Sequence, residues 1–280
     1  MRPDPRPLDA EALALFARKG REGGPQVPQA GEANGVKVRR ILQLIADLSR
    51  HPLRALRILD LGCGEGVYAI EAGLAGAEVL AIDARRQRMD EGAACAARHG
   101  LTNVRFAEED VRRVTRATHG EFDVVLLLGL LYHLDEPLPV LENLHALCGG
   151  PLLVDTLVSL APDAEIRQGD RVYRGTWHRE HADADPLELR RSRVLKSIDN
   201  AMSFRFAKES LVRALNDTGF TTVLECLAPL EAGKAEDRVT LAALKGEPVR
   251  LATYPWVNGK SEGEIARHLD AIQRGSGGRP

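Results

Sequence analysis

Between residues 57 and 156 short apolar runs alternate with stretches of helical periodicity, and this alternation restricts the fold more than any other feature. Strand-like runs fall at 57–61, 78–82, 104–106, 122–128 and 152–156, with helical stretches at 67–74, 85–99, 111–117 and 136–147 between them. A strand that returns to its sheet through a helix becomes a parallel neighbour by a right-handed crossover. The expected class is therefore α/β, a doubly wound, mainly parallel sheet with helices on both faces. Gly100 and Gly149-Gly150 stand where helix C-caps belong.

The alternation stops after Thr156. Residues 157–205 show no comparable strand and mix charges of both signs, and they are too long for a simple connection. They read as an inserted cap with its own helices. Alternation resumes with a helix near 208–218, stopped by Gly219, and strands near 221–227 and 238–244. Ahead of the core, Leu8, Leu13 and Phe16 suit a short helix capped by Asp9, and residues 20–35 read as a Gly/Pro-rich loop. Val38, Ile41, Leu42, Ile45 and Leu48 then mark one helix face, closed by His51-Pro52. In the tail Ser261 and Glu264 form a capping-box pattern. The expected organisation is a helical lid and loop at 1–34, a nucleotide-type core at 35–156, the cap at 157–205, completion of the core at 206–248 and an extension at 249–280.

Charge argues against one class of partner. With 38 Lys plus Arg against 40 Asp plus Glu, the net charge of -2 gives no positive field for nucleic acid. Cys63, Cys95, Cys148 and Cys226 lie far apart without zinc-type spacing, which suits free thiols in a reducing compartment. Neither an apolar leader nor a membrane-length run is present, so a cytoplasmic chain with a small-molecule partner is expected. No motif sets an oligomeric state.

The chemistry gathers at strand ends. The run Ile58–Leu61 leads into Gly62-Cys63-Gly64-Glu65-Gly66, a turn whose glycines let backbone approach a ligand closely. Val67 stands where the dinucleotide fingerprint has its third glycine, which argues against a nicotinamide-dependent oxidoreductase. Asp83 ends the second strand 23 residues after Asp60, where a carboxylate accepts from a ribose diol; a helix N-cap is the competing role. Asp110 follows the third strand and suits either an adenine amino group, with Val111 against the ring, or another N-cap.

Together these residues resemble the class I S-adenosylmethionine-dependent methyltransferases. Asp60–Gly66 is similar to the family's glycine motif, Asp83 to its ribose acid, Asp110-Val111 to its adenine-side pair, and Glu121–Val125 with Leu128–Leu134 to its fourth strand and following turn. The turn also resembles that of the tRNA wobble-uridine carboxymethyltransferases, without a separate basic domain to grip tRNA. The resemblance implies seven strands with the last antiparallel, and S-adenosylmethionine across the strand ends. It implies a cofactor site of Asp60, Gly62, Gly64, Gly66, Asp83, Ala84, Asp110, Val111, Leu128 and Gly129. The glycine turn would face the methionine part, and Leu128 and Gly129 would border the sulfonium.

Methyl transfer from a sulfonium needs alignment in a dry pocket, and a base only where the nucleophile is protonated. His133 lies just past the fourth strand and is the expected base, against a wall-forming role; Tyr132 either orients substrate or packs. Tyr173, Trp177 and His178 are expected substrate contacts from the cap. His178 and His181 match neither HExxH nor HxxEH, so no metal is expected. The expected activity is methyl transfer to a small molecule, most simply at oxygen, with a tRNA-modifying enzyme as the alternative and an oxidoreductase as a remote one.

Overall fold

A computed structural model describes residues 8–12, 30–227, 236–248 and, in the tail, 261, 263, 264, 266, 267 and 270. The expected helical residues 13–19 and most of the loop after them lie outside the described residues. The chain divides into two units, Met1–Gly246 and Glu247–Pro280. In the second, Ser261 and Glu264 cap one another: the Glu264 carboxylate accepts from Ser261 N–H at 2.9 Å.

In the first unit the elements run α1 (Ala30–Leu48), β1 (Arg57–Leu61), α2 (Val67–Leu74), β2 (Glu78–Asp83), α3 (Arg86–Arg98), β3 (Val104–Glu108), α4 (Arg116–His119), β4 (Val124–Leu128) and α5 (Pro137–Leu147). They continue as β5 (Leu152–Leu157), β6 (Ala164–Gln168), β7 (Arg171–Arg179), α6 (Leu187–Ser192), β8 (Met202–Phe206), α7 (Lys208–Asp217), β9 (Thr222–Glu225) and β10 (Arg238–Leu244). Seven strands form one sheet in the order β3-β2-β1-β4-β5-β10-β9, with β10 antiparallel to both neighbours. This is the expected seven-stranded sheet with its last strand reversed. The reversal also separates it from the all-parallel dinucleotide fold.

Strand alternation divides the core into two layers. Leu59, Leu61, Val125, Leu127 and Val154 face α5 and α7, while Ile58, Val79, Val124, Leu126 and Leu153 meet Ile41 and Ile45 of α1 and Ala69 and Ala72 of α2. Each such buried aliphatic side chain contributes about 1.5–3 kcal/mol relative to exposure. The loop expected up to Gly35 is corrected: α1 begins at Ala30 and Gly35 is buried inside it. Tertiary packing of the Val38–Ile45 face carries the helix through a weak Asn-Gly pair. Of the segment expected as a lid, residues 8–12 and the start of α1 are described. Ala12 packs with Val67, Ile70, Cys95 and Ala96 on the outside of α2 and α3, and Asp9 caps it by accepting from Ala12 N–H at 2.8 Å.

The insertion is a larger correction. It is chiefly a three-stranded antiparallel sheet, β6-β7-β8, with one short helix, α6. Gly169-Asp170 joins β6 to β7 as a two-residue hairpin, with Gly169 at φ 56°. Tyr173, Phe204 and Phe206 of this sheet enter the α5–α7 layer, Phe204 and Phe206 edge-on at 5.2 Å. Such aromatic pairs add about 0.5–1.5 kcal/mol beyond their burial. The insertion therefore shares the main core. Among the described residues no helix is long and apolar enough to cross a membrane.

Helix α3 is set against the glycine turn through Gly92, where a Cβ would lie 2.2 Å from the carbonyl oxygen of Glu65. Gly92→Ala must push the helix off the turn, an overpacking that costs about 1–3 kcal/mol. Urea denaturation should show a lower midpoint at unchanged slope; an unchanged midpoint would mean that the turn is not clamped there.

Candidate functional site

The site grows from the junction of β1 and α2. Gly62, Gly64 and Gly66 have φ of 70°, 56° and 73°, in the left-handed region that disfavours a side chain. Space is lacking as well: a Cβ on Gly66 would lie 2.4 Å from Phe106. The amides of Gly62 and Cys63 both donate to the Ile82 carbonyl, at 2.8 and 3.0 Å, tying the turn to β2. At the end of β2 the Asp83 carboxylate accepts from Gly64 N–H and from Arg85 N–H, both at 2.9 Å. Asp83 thus braces the glycine turn and the entry to α3 together. Each of its oxygens keeps a second acceptor position.

Asp60 lies beneath the turn at 1% exposure, and its Oδ2 has no hydrogen-bond partner among the described residues. Burial, then the neighbouring Asp83, pushes its pKa up to about 7. A cation beside this orphaned oxygen would relieve both effects.

Beyond β3, burial disfavours the charged form of Asp110, but hydrogen bonds from the Arg112 side chain and backbone outweigh it and hold the carboxyl below its ordinary range. Asp110 therefore caps the short turn Val111–Arg113, as its competing reading supposed. Arg112 continues to Asp199 of the insertion at 2.7 Å. Within β5, Asp155 accepts from Thr240 Oγ1 at 2.7 Å and pairs with Arg238, whose guanidinium lies over the Tyr132 ring.

A cavity of about 320 Å³ opens along the carboxyl ends of β1, β2 and β4. Of the expected cofactor residues Gly62, Asp83, Ala84, Asp110, Val111, Leu128 and Gly129 line it, and so do Tyr132 and His133. Asp60, Gly64 and Gly66 are not among its walls. Residues 194–198 and Asn200 of the insertion form the opposite wall. Arg85 holds that wall by donating to the carbonyls of Arg191, Arg193, Lys196 and Ser197 at 2.8–3.1 Å. His133 sits in a single helical turn, Leu131–His133, and its Nδ1 lies 2.9 Å from Glu180 Oε1. Glu180 is 3% exposed. Burial alone would raise its pKa, yet His133, Ser203 and the Ser197 amide bring it down to about 2.

A sequence model described as a methyltransferase domain matches residues 33–225. The chain belongs to that methyltransferase family. Among similar proteins, the ubiquinone biosynthesis O-methyltransferase of Caulobacter sp. (strain K31) is 32% identical over 110 residues, 39% of this chain and 43% of that one. The enzyme of the same name from Acinetobacter baumannii (strain AYE) is 26% identical over 107 residues, 38% of this chain and 45% of that one. The alignments thus span under half the length of these relatives. The N-terminal domain of EvdMO1, crystallised with S-adenosylhomocysteine and D-fucose, superposes with TM-score 0.58 at 21% identity over 75% of this chain and 81% of that one. Magnesium protoporphyrin IX methyltransferase from Synechocystis PCC 6803 does so with TM-score 0.54 at 17% identity over 85% and 95%. At these identities the superpositions speak for the fold.

The methyltransferase domain does not bring the three expected cap contacts to its cavity. Tyr173 is 1% exposed and donates its hydroxyl to Asp217 at 2.9 Å, which makes it a core residue. Trp177 packs edge-on against Phe204, and His178 lines a separate shallow depression with Arg205. Their β-strand alternation, unlike the expected helix, sends successive side chains to opposite faces. His178 and His181 likewise diverge, His181 being buried against the Ser197 carbonyl at 2.9 Å. Glu180, Ser197, Asn200 and Arg85 were missed. Only Glu180 carried a signal, as the one acid between two histidines.

Because Asp60 holds its proton more tightly in the folded chain than its ordinary value of 3.8 allows, folding takes up a proton between about pH 4 and 7. Stability without ligand should fall as pH rises through that window. Asp60→Asn should flatten the fall and melt above wild type at pH 8, by about 2–4 °C per kcal/mol regained. Thermal melts at pH 5 and 8 check this, and equal pH slopes would remove Asp60 as the cause.

Proposed function

We propose that the chain transfers a methyl group from S-adenosylmethionine to an oxygen nucleophile on a small molecule. The observation that carries this reading is the cavity at the strand ends, walled by Gly62 and Asp83 on one side and by the insertion on the other, with His133 on its lining. Its volume, about 320 Å³, falls within the range of small-molecule pockets.

The residues present fit the cofactor part by part. The orphaned Asp60 oxygen suits an ammonium group such as that of the methionine moiety. Asp83 has acceptor positions left for a ribose diol. Val111 and Leu128 offer apolar contact for the adenine ring and the region around sulfur, and Gly129 leaves backbone exposed there. Asp110 enters this reading with both oxygens already engaged by Arg112, so stacking on Val111 carries more of adenine recognition.

When bound, the cofactor supplies an electrophilic methyl on a sulfonium. The chain supplies alignment, exclusion of water and a proton acceptor. His133, on the cavity lining, would take the proton released by the acceptor oxygen, while the bound cofactor would supply the methyl group. Tyr132, tilted against His133 with 4.3 Å between ring centres, shapes the acceptor side. The relatives named above carry small-molecule names, and no observation favours the tRNA-modifying alternative: Arg85, Arg88 and Arg112 on the cleft are already held by carbonyls or carboxylates.

Transfer of label from methyl-labelled S-adenosylmethionine to a panel of phenols, sugars and hydroxy acids tests this. A positive acceptor should lose turnover by roughly 10²–10⁴ in His133→Ala, with cofactor affinity retained. Full activity in that variant would leave His133 a wall of the pocket.

A further inference from the structure

The insertion reaches the reaction site through one buried carboxylate, Glu180. This group lies at the end of β7, and the described residues give it three donors: His133 Nδ1 and Ser203 Oγ at Oε1, both at 2.9 Å, and Ser197 N–H at Oε2, at 3.1 Å. Ser197 belongs to the segment that walls the cavity, and Ser203 to β8. The same frame is fastened from the other side. Asn200 donates to the His133 carbonyl at 3.0 Å, and Phe204 N–H donates to the Leu134 carbonyl at 2.8 Å.

An ionised carboxylate only accepts hydrogen bonds, so the short contact to Glu180 requires a proton on His133 Nδ1. In the neutral imidazole the lone pair then resides on Nε2. We propose that Glu180 is the positioning residue of the methyl-transfer site. It fixes His133 as the Nδ1–H tautomer with Nε2 free to take the acceptor's proton, and it joins that orientation to the seating of the cavity wall through Ser197. This rests on the proposed role of His133 as base. It assigns to the insertion the completion of the base as well as coverage of the cofactor. With the 193–200 segment lifted, Glu180 loses the Ser197 amide and the His133 backbone loses Asn200, so a site open to solvent holds its base less firmly.

Nitrogen-15 NMR of the full chain reads the tautomer without any knowledge of the acceptor. His133 should show a protonated Nδ1 and an unprotonated Nε2, with a downfield Nδ1–H signal that exchanges slowly with water and vanishes in His133→Gln. Glu180→Gln, a neutral acceptor of the same shape, should move that signal upfield and speed its exchange. Glu180→Leu should abolish it. A wild-type His133 protonated on Nε2 alone overturns the proposal and needs no variant to fold. An Nδ1–H signal indifferent to Glu180→Gln overturns it equally. Calorimetric binding of S-adenosylhomocysteine by the wild type, measured on the same sample, tests the underlying cofactor reading separately.

Discussion

The site depends on one carboxylate bracing two backbone turns. Asp83 accepts from Gly64 N–H and Arg85 N–H, so a single side chain fixes the glycine turn after β1 relative to the entry of α3. Such charge-assisted bonds are about twice as strong as neutral ones. The turn needs an external brace because its glycines have little conformational preference of their own. Phe106 and Gly92 close the remaining space around it. The cost appears beside it in Asp60, buried, with its pKa raised and one oxygen left orphaned.

A second frame comes from the insertion. Arg85, placed by the same turn that Asp83 braces, gathers carbonyls from residues 191–197. Glu180 ties Ser197 to His133. The cavity wall, the base and the strand-end turn are thus linked in one hydrogen-bonded series. Sharing its aromatic residues with the α5–α7 core gives the insertion a rigid base from which to do this.

The nucleotide-type core was legible because its strands are short apolar runs, four of the first five with a glycine or acid at the end. β1 and β10 fall on their expected bounds, and the others within about two residues. The insertion was not. Its strands put Glu165, Arg167, Arg174 and His178 at positions that obscure the apolar alternation of Tyr173 and Phe204, although Gly169-Asp170 was a readable hairpin signal. The expected placement of Tyr173 failed for the same reason. The geometry of Glu180 against His133 spans 47 residues and exists only once β7 and β8 pair, so no local pattern announces it. Arg85 was hidden likewise, since its partners are backbone carbonyls that carry no residue signature.

The most direct test of the account is a calorimetric titration of the full chain with S-adenosylhomocysteine, beside Asp83→Ala and beside NAD. One-to-one binding in the wild type, at least about tenfold weaker in Asp83→Ala and absent with NAD, is the predicted result; tenfold corresponds to about 1.4 kcal/mol. Binding of NAD without S-adenosylhomocysteine, or equal affinity in the two chains, would contradict it.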